Sequence, residues 1–535
     1  MKILAYLALT AGVLTAADPP SRADILRGEY GPYRANNDLL FYHLDVRVDP
    51  EKKFISGRNT VRFRMLADGK RIQLDLYPFL KVEKILLGST TLQYTREEGA
   101  VFIDFPETLR KGRVYSIDFY YSGNPVETGR FGGLTFRKDP SGHHWVNTSC
   151  EGPGSSVWWP SKDQWRDEVE SMKISVSAPN GLTDVSNGKF LGKTDLGDGY
   201  TRWDWLVQYP INNYSVSMNI GNYVHFSERR GKLPMDYFVL PEHLEQAKKQ
   251  FAQAGPMIEA FEHYFGEYPF VKDGYKLIEV PYSGMEHQSA VTYGNRFKNG
   301  YLERDWTGVG TSLKFDFIII HESGHEWFGN AVTAADRSDM WIHEGFTTYL
   351  ESLYVERLFG YDEALRYTNG YKAKVRNAEP ILTARGVNGN APGDQYFKGT
   401  LFLNTLRNVI NDDKRWFALL RGLYQRFKYK NILTEDVVAF FNAKSGMDLT
   451  AVFDQYLRHP AIPVLELKFD APGKVAYRWK ADEAKFAMPV RVGAPGKWQI
   501  VRPTTGGAWQ TLETTLGKDQ FQVATDLYYI DVKRD

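Results

Sequence analysis

The chain has 535 residues, of which 43% are hydrophobic and 24% charged, so we expect a globular protein of two to four domains rather than a disordered or fibrous one. Its 66 Lys and Arg residues against 65 Asp and Glu residues leave a net charge of +1, which gives no indication of a nucleic-acid partner or an anionic membrane surface. The single cysteine, Cys150, excludes an intrachain disulfide.

The first residues have the pattern of a secretory leader. Lys2 precedes an apolar run at residues 3–14, and small residues occupy positions 15–17. This order predicts a signal peptide over residues 1–17 and a mature chain that begins near Asp18. A membrane anchor is the alternative, but the run is shorter than the roughly 20 residues that span a bilayer. We therefore expect an exported bacterial protein, periplasmic or extracellular, without stable membrane insertion.

Apolar and polar residues alternate with period two from about residue 37 to residue 224, with turn pairs such as Asp68-Gly69 between the runs. This alternation predicts an antiparallel β domain over residues 18–228. Helical spacing begins near Pro241, which suits the first position of a helix, and we expect helices to dominate residues 229–460. Strand-like runs then return and predict a small β domain over residues 461–535.

The strongest chemical signal is a pair of histidines at the end of an apolar, helix-like run. His321 and His325 are one helical turn apart, share a face and can bind one zinc ion, while Glu322 between them can take a proton from a metal-bound water. Ser312 is the expected N-cap of this helix. The alternative, a purely structural histidine pair, does not account for the third ligand that follows at a characteristic distance.

A second helix, predicted to begin near Asp339 and to end at Gly360, supplies Glu344 as a candidate third ligand, and eighteen residues separate it from His325. His343 is a rival, but adjacent helical residues point about 100° apart, so we expect it to support the site or to pack. Asp339 could accept a hydrogen bond from a ligand imidazole or cap the second helix, and the sequence leaves both open.

The spacing of His321, Glu322, His325 and Glu344 resembles that of the M1 aminopeptidase family of gluzincin zinc metallopeptidases. Other landmarks follow in the family's order. The segment Gly284-Met285-Glu286-His287 is similar to the family's G-x-M-E-N motif, with His287 in place of the asparagine, and residues 396–399 are similar to its Tyr-x-Lys-Gly segment. The resemblance covers most of the chain and implies a short form without the large C-terminal helical domain that many members carry.

The resemblance implies an α+β multidomain fold with an N-terminal antiparallel β domain, a thermolysin-like, mainly helical catalytic domain and a small C-terminal β-sandwich. It also implies one Zn²⁺ per chain on His321, His325 and Glu344, with Glu322 as the general base on zinc-bound water. Tyr396 is nominated to stabilise the oxyanion, although a core tyrosine is the alternative among 32 tyrosines.

An exopeptidase must also bind a free α-amine, and carboxylates do this best. Glu286 is the leading candidate, with Gly284 and Met285 beside it in the substrate site. Glu151 is a second candidate, because residues 148–151 resemble a family segment that ends in Cys-Glu. The alternatives are a turn carboxylate for Glu286 and a solvated loop charge for Glu151. The expected partners are peptides with a free N-terminus.

Within the histidine motif the chain departs from the family at Ser323, Gly324 and Glu326. Glycine costs about 1 kcal/mol in a helix, so we expect Gly324 to leave room for a neighbouring group or for substrate. Besides a secreted aminopeptidase, three alternatives remain at this stage: an epoxide-hydrolase-like bifunctional relative, a catalytically silent binding protein, and an endopeptidase. The sequence does not predict the preferred first residue or the oligomeric state.

Overall fold

The structure is a computed structural model and describes residues 19–128, 132–389 and 391–535. The predicted signal peptide lies outside the described residues. A β-rich region, a mainly helical region and a second β region follow one another along the chain. This order confirms the multidomain α+β architecture expected from the sequence.

Two short helices precede the N-terminal sheets, α1 (Arg22–Gly28) and α2 (Pro32–Ala35). The strands of this region are β1 (Asn37–Asp49), β2 (Phe54–Met65), β3 (Gly69–Asp75), β4 (Leu80–Leu87), β5 (Thr90–Thr91), β6 (Gln93–Glu97), β7 (Ala100–Leu109), β8 (Val114–Gly123), β9 (Gly133–Lys138), β10 (His144–Ser149), β11 (Ser171–Pro179), β12 (Thr183–Ser186), β13 (Lys189–Asp195), β14 (Tyr200–Val207) and β15 (Met218–Gly221).

An eight-stranded sheet of order β13-β14-β11-β1-β2-β8-β4-β5 forms the body of this region, beside a four-stranded sheet β12-β15-β10-β9 and a three-stranded sheet β3-β7-β6. The prediction of a purely antiparallel domain is wrong at one pair, because β1 and β11 run parallel, with Leu44 opposite Ile174. Parallel neighbours need a long crossover, and here the intervening strands β2 to β10 provide it.

The central region contains a five-stranded sheet of order β16-β17-β18-β20-β19, in which β19 is an edge strand, and a two-stranded sheet β21-β22. Its strands are β16 (Val224–Arg230), β17 (Leu233–Val239), β18 (Tyr275–Glu279), β19 (Gly284–Met285), β20 (Val291–Tyr293), β21 (Val332–Ala334) and β22 (Lys430–Ile432). Its helices are α3 (Leu244–Phe251), α4 (Ala254–Phe265), α5 (Phe317–Gly324), α6 (Trp341–Phe359), α7 (Tyr361–Gly370), α8 (Asp394–Ile410), α9 (Asp413–Phe427), α10 (Thr434–Ser445) and α11 (Thr450–Arg458).

Short 3₁₀ helices connect these elements at Ser155–Val157, Asn213–Ser215, Pro241–His243, Thr311–Lys314, Arg337–Asp339 and Tyr371–Lys374. The C-terminal strands are β23 (Val464–Ala471), β24 (Lys474–Lys480), β25 (Val490–Ala494), β26 (Lys497–Val501), β27 (Gln510–Glu513), β28 (Gln522–Val523) and β29 (Asp531–Arg534). They form a four-stranded sheet β27-β24-β23-β29 and a three-stranded sheet β26-β25-β28. Across the described ranges, no helix combines the length and the apolarity needed to cross a bilayer.

Helix α5 is buried along its whole length. Its N-cap is Asp316, whose carboxylate accepts from the backbone N–H groups of Ile318 (3.1 Å) and Ile319 (3.3 Å). The prediction of Ser312 as the N-cap is therefore wrong. Ser312 lies one element earlier, in the 3₁₀ turn Thr311–Lys314, and its hydroxyl accepts from the Trp306 N–H (2.7 Å) instead.

Glycines allow α5, α6 and α8 to approach one another closely. A Cβ atom on Gly324 would lie 3.1 Å from Thr347 Cγ2 on α6, so this glycine leaves room for a neighbouring group, as expected. A Cβ atom on Gly399 of α8 would lie only 3.0 Å from the Cα of Gly345 on α6. The backbones of α6 and α8 are thus nearly in contact, next to Glu344 on one helix and three residues beyond Tyr396 on the other.

Replacing Gly399 by alanine tests this close approach. We expect Gly399→Ala to lower the free energy of unfolding by about 1–3 kcal/mol, because the added methyl group overpacks the helix contact and outweighs alanine's higher helix propensity. Denaturant unfolding measures the change. Gly255→Ala is the matched control, since a Cβ atom there meets nothing within 4 Å, and it should be neutral or mildly stabilising. Equal stability of the two variants would contradict the packing argument.

Candidate metal centre

Helices α5 and α6 bring His321, His325 and Glu344 together at the wall of a cavity of about 220 Å³. The Nε2 atoms of the two histidines are 3.3 Å apart. Glu344 Oε2 lies 3.5 Å from His321 Nε2 and 3.3 Å from His325 Nε2. All three side chains are buried. The structure therefore places the three predicted ligands around one point.

The imidazoles are held with their Nε2 lone pairs toward that point. The Nδ1–H of His321 donates to Glu351 Oε1 (2.7 Å), and the Nδ1–H of His325 donates to the carbonyl of Phe328 (3.0 Å). Each ring therefore has no proton left for Nε2 in its neutral form. Glu344 Oε2 is itself buried without a hydrogen-bond partner among the described residues.

Two imidazole nitrogens and a carboxylate oxygen that face one another at 3.3–3.5 Å form a set of donor atoms that a cation can bind. Ligands at about 2.0–2.1 Å from a tetrahedral zinc ion lie about 3.3–3.4 Å from each other, which agrees with the three separations here. Two imidazole nitrogens and one carboxylate oxygen are also a donor set of catalytic zinc sites, which keep a fourth position for water or substrate. The residues present therefore fit one Zn²⁺ per chain.

Sequence reasoning missed Glu351, the carboxylate that orients His321. It lies seven residues after Glu344, hence two turns further along the same face of α6, and this spacing is the signal that could have identified it. The hydroxyl of Tyr367 donates to Glu351 Oε2 (2.6 Å), and Tyr371 donates to the same oxygen. These two bonds fix the carboxylate against the imidazole.

Asp339 fulfils neither of the two roles considered for it. Its carboxylate accepts a bidentate pair from Arg385 (2.9 and 2.8 Å) and further bonds from the Thr434 N–H (2.9 Å) and hydroxyl (2.6 Å). It thus caps the first residue of α10 instead of α6, because the 3₁₀ turn Arg337–Asp339 points this side chain away from the ligands.

His343 lies outside the ligand cluster and supports the substrate side of the cavity, in line with the prediction. Its Nε2 accepts from the Ala334 N–H (2.8 Å), and its Nδ1 lies 3.4 Å from the hydroxyl of Tyr214. Trp165 stacks on the ring at 5.3 Å with an interplanar angle of 6°. Burial lowers the pKa of His343 to about 3, so the ring is neutral.

The predicted amine-binding carboxylates lie next to the metal ligands. Oxygens of Glu151, Glu286 and Glu344 come within 4.8 Å of one another, although Glu151 belongs to the N-terminal region and the other two to the helical region. Tyr214 donates a hydrogen bond to Glu286 Oε1 (3.0 Å). Burial, then the charges of Glu286 and Glu344, raise the pKa of Glu151 to about 8, while Arg337 opposes the rise.

Glu326, which departs from the family pattern at the position after His325, anchors the loop that follows Glu286. Glu326 is buried and accepts from the Ser289 N–H (2.9 Å) and the Tyr268 hydroxyl (2.9 Å). Asn330 donates to the Glu286 carbonyl (2.8 Å). His287 is also fully buried, and neither ring nitrogen has a hydrogen-bond partner among the described residues.

Gly284, Met285, Glu322 and Tyr396 also line the cavity. A Cβ atom on Gly284 would lie 3.0 Å from Glu322 Cγ, so the glycine lets β19 lie against α5. Burial, the largest cause, raises the pKa of Glu322 to about 7; the neighbouring His321 opposes this rise and Glu286 adds to it. The Tyr396 ring lies 6.1 Å from that of His321, and burial together with the Glu344 charge raises its phenol pKa above the ordinary value.

Aromatic side chains form much of the remaining wall of the cavity, which the sequence did not predict. This aromatic wall is formed by Tyr301, Trp306, Phe317, Tyr371 and Phe397. These residues come from four separate segments, so no local pattern unites them. The cavity therefore joins a three-donor metal cluster, four further carboxylates and an aromatic wall.

Two sequence models of known domains match the chain. The Peptidase M1 N-terminal domain matches residues 39–214, and the Peptidase family M1 domain matches residues 250–456. The chain is 24% identical to human endoplasmic reticulum aminopeptidase 1, in an alignment that covers 65% of this chain and 38% of the relative. It is 22% identical to aminopeptidase 2 of Candida albicans, in an alignment that covers 81% of this chain and 48% of the relative. It thus spans about half the length of the curated relatives it matches, or less.

Solved structures show the same fold. A mutant of an M1 zinc metallopeptidase from Deinococcus radiodurans, bound to a Tyr-Ser-Ala substrate, superposes with a TM-score of 0.68 at 18% identity, over 82% of this chain and 98% of that one. A mutant of a two-domain M1 zinc metallopeptidase, bound to L-tryptophan, superposes with a TM-score of 0.66 at 19% identity, over 80% and 95%.

The contact between His321 and Glu351 can be tested by zinc affinity. We expect Glu351→Gln to weaken zinc binding by about 10–100-fold, because the amide neither orients the imidazole nor increases its basicity as a carboxylate does. Competition with a chromogenic chelator measures the affinity. Glu245→Gln, at an exposed position of α3, should bind zinc like the wild type. Wild-type affinity in Glu351→Gln would remove Glu351 from this role.

Proposed function

The chain belongs to peptidase family M1, and from this premise we propose that it is a zinc aminopeptidase that hydrolyses the first peptide bond of peptides with a free N-terminus. The observation that carries the proposal is the convergence of the metal cluster and two further carboxylates, Glu286 and Glu151, on one cavity. A metal centre alone is compatible with cleavage anywhere in a chain. Carboxylates placed beside it can bind the ammonium group of a chain end.

His321, His325 and Glu344 would hold the ion, which when bound polarises the scissile carbonyl and makes water a stronger nucleophile. Glu322 has a pKa near 7 and lines the same cavity, so its carboxylate can accept a proton from the attacking water and return it to the leaving nitrogen. The raised pKa of Tyr396 keeps its phenol protonated, and the O–H can donate to the carbonyl oxygen as negative charge develops there.

Glu286 and Glu151 would bind the substrate ammonium. Tyr214 fixes the Glu286 carboxylate by its hydrogen bond, and the neutral His343 supports Tyr214. A cation between Glu286, Glu151 and Glu344 would relieve the repulsion among three buried or partly buried carboxylates. The aromatic wall supports a preference for a large apolar or aromatic first residue, with Met285 beside it.

We also propose the arrangement of the individual domains and the export of the chain. The approach of α5 and α6 around the metal cluster supports a thermolysin-like arrangement of residues 229–460. The four-stranded and three-stranded sheets support a β-sandwich over residues 461–535. The leader pattern at residues 1–17 supports export, to the periplasm or the medium. Neither an epoxide-hydrolase activity nor a silent scaffold is favoured by any feature of the cavity, in which both Glu322 and Tyr396 are present.

Substitution of Glu322 separates chemistry from metal binding. We expect Glu322→Gln to keep its zinc and to lose about 10²–10⁴-fold in kcat, because an amide cannot accept the proton. Turnover of aminoacyl coumarin amides and the zinc content of the same preparation are the two measurements. Glu303→Gln, an exposed carboxylate, serves as the control. Undiminished turnover in Glu322→Gln would assign the proton transfer to another group.

Capping the substrate amine tests the exopeptidase assignment. We expect chelator-sensitive hydrolysis of peptides with a free N-terminus and none of the same peptides after N-acetylation, because the acetyl group removes the charge that Glu286 and Glu151 would bind. Glu286→Ala should reduce this discrimination while the protein stays folded. Equal cleavage of capped and free peptides by the wild type would indicate an endopeptidase instead.

A further inference from the structure

The loop that carries Glu151 is held by two arginines from opposite directions. Arg337, on the 3₁₀ turn before α6, donates from Nη1 to the Glu151 carbonyl and from Nε to the Gly389 carbonyl (3.2 Å). Its guanidinium lies 5.2 Å above the ring of Trp165. Arg337 thus attaches the backbone of Glu151 to the helical region.

Arg27, on the N-terminal helix α1, holds the next two residues. Its Nη2 donates to the Gly152 carbonyl (3.1 Å), and its Nη1 donates to the Pro153 carbonyl. The hydroxyl of Tyr77 donates to the same Pro153 carbonyl (3.1 Å) and accepts from Arg27. Three consecutive carbonyls, from residues 151 to 153, are therefore bound by guanidinium groups.

Helix α1 is itself fixed against the chain that leads to Tyr396. The Asn388 N–H donates to the Asp24 carbonyl (3.0 Å), and a Cβ atom on Gly28 would lie 2.4 Å from the carbonyl carbon of Val387. Arg34 donates to the Arg27 carbonyl (2.9 Å). These contacts fix the position of helix α1 and therefore that of Arg27.

The loop needs such restraint because of the charges around Glu151. Its carboxylate lies within 4.8 Å of those of Glu286 and Glu344, and when Glu151 is ionised, as ammonium binding requires, the like charges repel one another where water is scarce. Glu151 lies outside the regular strands and helices, between β10 and the 3₁₀ turn Ser155–Val157. Without the arginines, the loop could move outward and carry the carboxylate away from the cavity.

We propose that Arg27 and Arg337 are positioning residues for amine recognition, which hold the Glu151 loop against the repulsion of Glu286 and Glu344, so that helix α1 contributes indirectly to substrate binding. This inference rests on the proposed function. Neither arginine lines the cavity, and both act through Glu151. A helix more than 120 residues before Glu151 in the sequence thus contributes to substrate affinity.

Kinetics of Arg27 variants test the inference. On a free-amine aminoacyl coumarin amide, we expect Arg27→Ala to raise KM by about tenfold, the effect of losing charge-assisted hydrogen bonds, with kcat within about threefold of the wild type. Arg27→Lys keeps the charge but not the forked geometry, so its KM should be intermediate. Arg22→Ala is the control, because Arg22 lies on the same helix and pairs with the exposed Glu97; its KM should be unchanged.

A double-mutant cycle with Glu151→Ala distinguishes positioning from a general structural effect. If Arg27 acts through Glu151, Arg27→Ala should not raise KM further once Glu151→Ala has removed the carboxylate. Additive effects, or a loss of kcat without a change in KM, would overturn the inference. Should Arg27→Ala fail to fold, Tyr77→Phe, which removes one donor to Pro153, replaces it and should raise KM by a smaller factor.

The same data separate this inference from the proposed function. A wild-type enzyme without chelator-sensitive turnover of free-amine substrates would contradict the proposed function itself. An unchanged KM in Glu151→Ala would remove Glu151 from amine binding, and with it the role of Arg27. A raised KM in Glu151→Ala together with a wild-type KM in Arg27→Ala would leave the aminopeptidase assignment intact and overturn only the arginine roles.

Discussion

Five glutamates line one cavity, and the cost of bringing their negative charges together is the constraint on which the rest of the site depends. Three of these carboxylates have partners of different kinds. Glu351 accepts from His321 and two tyrosine hydroxyls, and Glu286 accepts from Tyr214. Glu344 faces the imidazoles, where a zinc ion fits. The backbone of Glu151 is held by arginines, so the arrangement leaves a deficit of positive charge where a substrate ammonium would bind.

Close packing of the helices places these charged side chains around one cavity. Ligands from α5 and α6 can meet only if the two helices lie close together, and Gly324 opposite Thr347 allows that approach. Gly345 and Gly399 do the same for α6 and α8, which brings Tyr396 toward Glu344. All three glycines are intrinsically unfavourable in helices, so their contribution is the approach of the backbones rather than helix stability.

Local patterns in the sequence predicted the parts of the structure that depend on local geometry. The histidine motif, the distance to Glu344, the end of α6 at Gly360 and the order of β-rich and helical regions are all features of this kind. The failures depend on long-range contacts. The parallel pair β1–β11 joins segments more than 120 residues apart, and the partner of Asp339 is Thr434 on a distant helix. Arg27 and Arg337 were missed for the same reason, since each binds backbone carbonyls that carry no sequence signal.

Glu326, where the chain departs from the family pattern, also depends on contacts with residues distant in the sequence. A buried carboxylate one residue after His325 is costly unless donors satisfy it, and the donors here are the Ser289 N–H and the Tyr268 hydroxyl. Ser289 lies three residues after Glu286, and Asn330, which binds the Glu286 carbonyl, also lies 3.3 Å from Glu326 Oε1. Glu326 therefore connects the end of the metal-binding helix to the loop that carries Glu286, the proposed amine-binding carboxylate. Through Glu326, the positions of the zinc ligand His325 and of Glu286 depend on each other. The proposed reaction requires this, because the ammonium group and the scissile bond of the substrate lie a fixed distance apart.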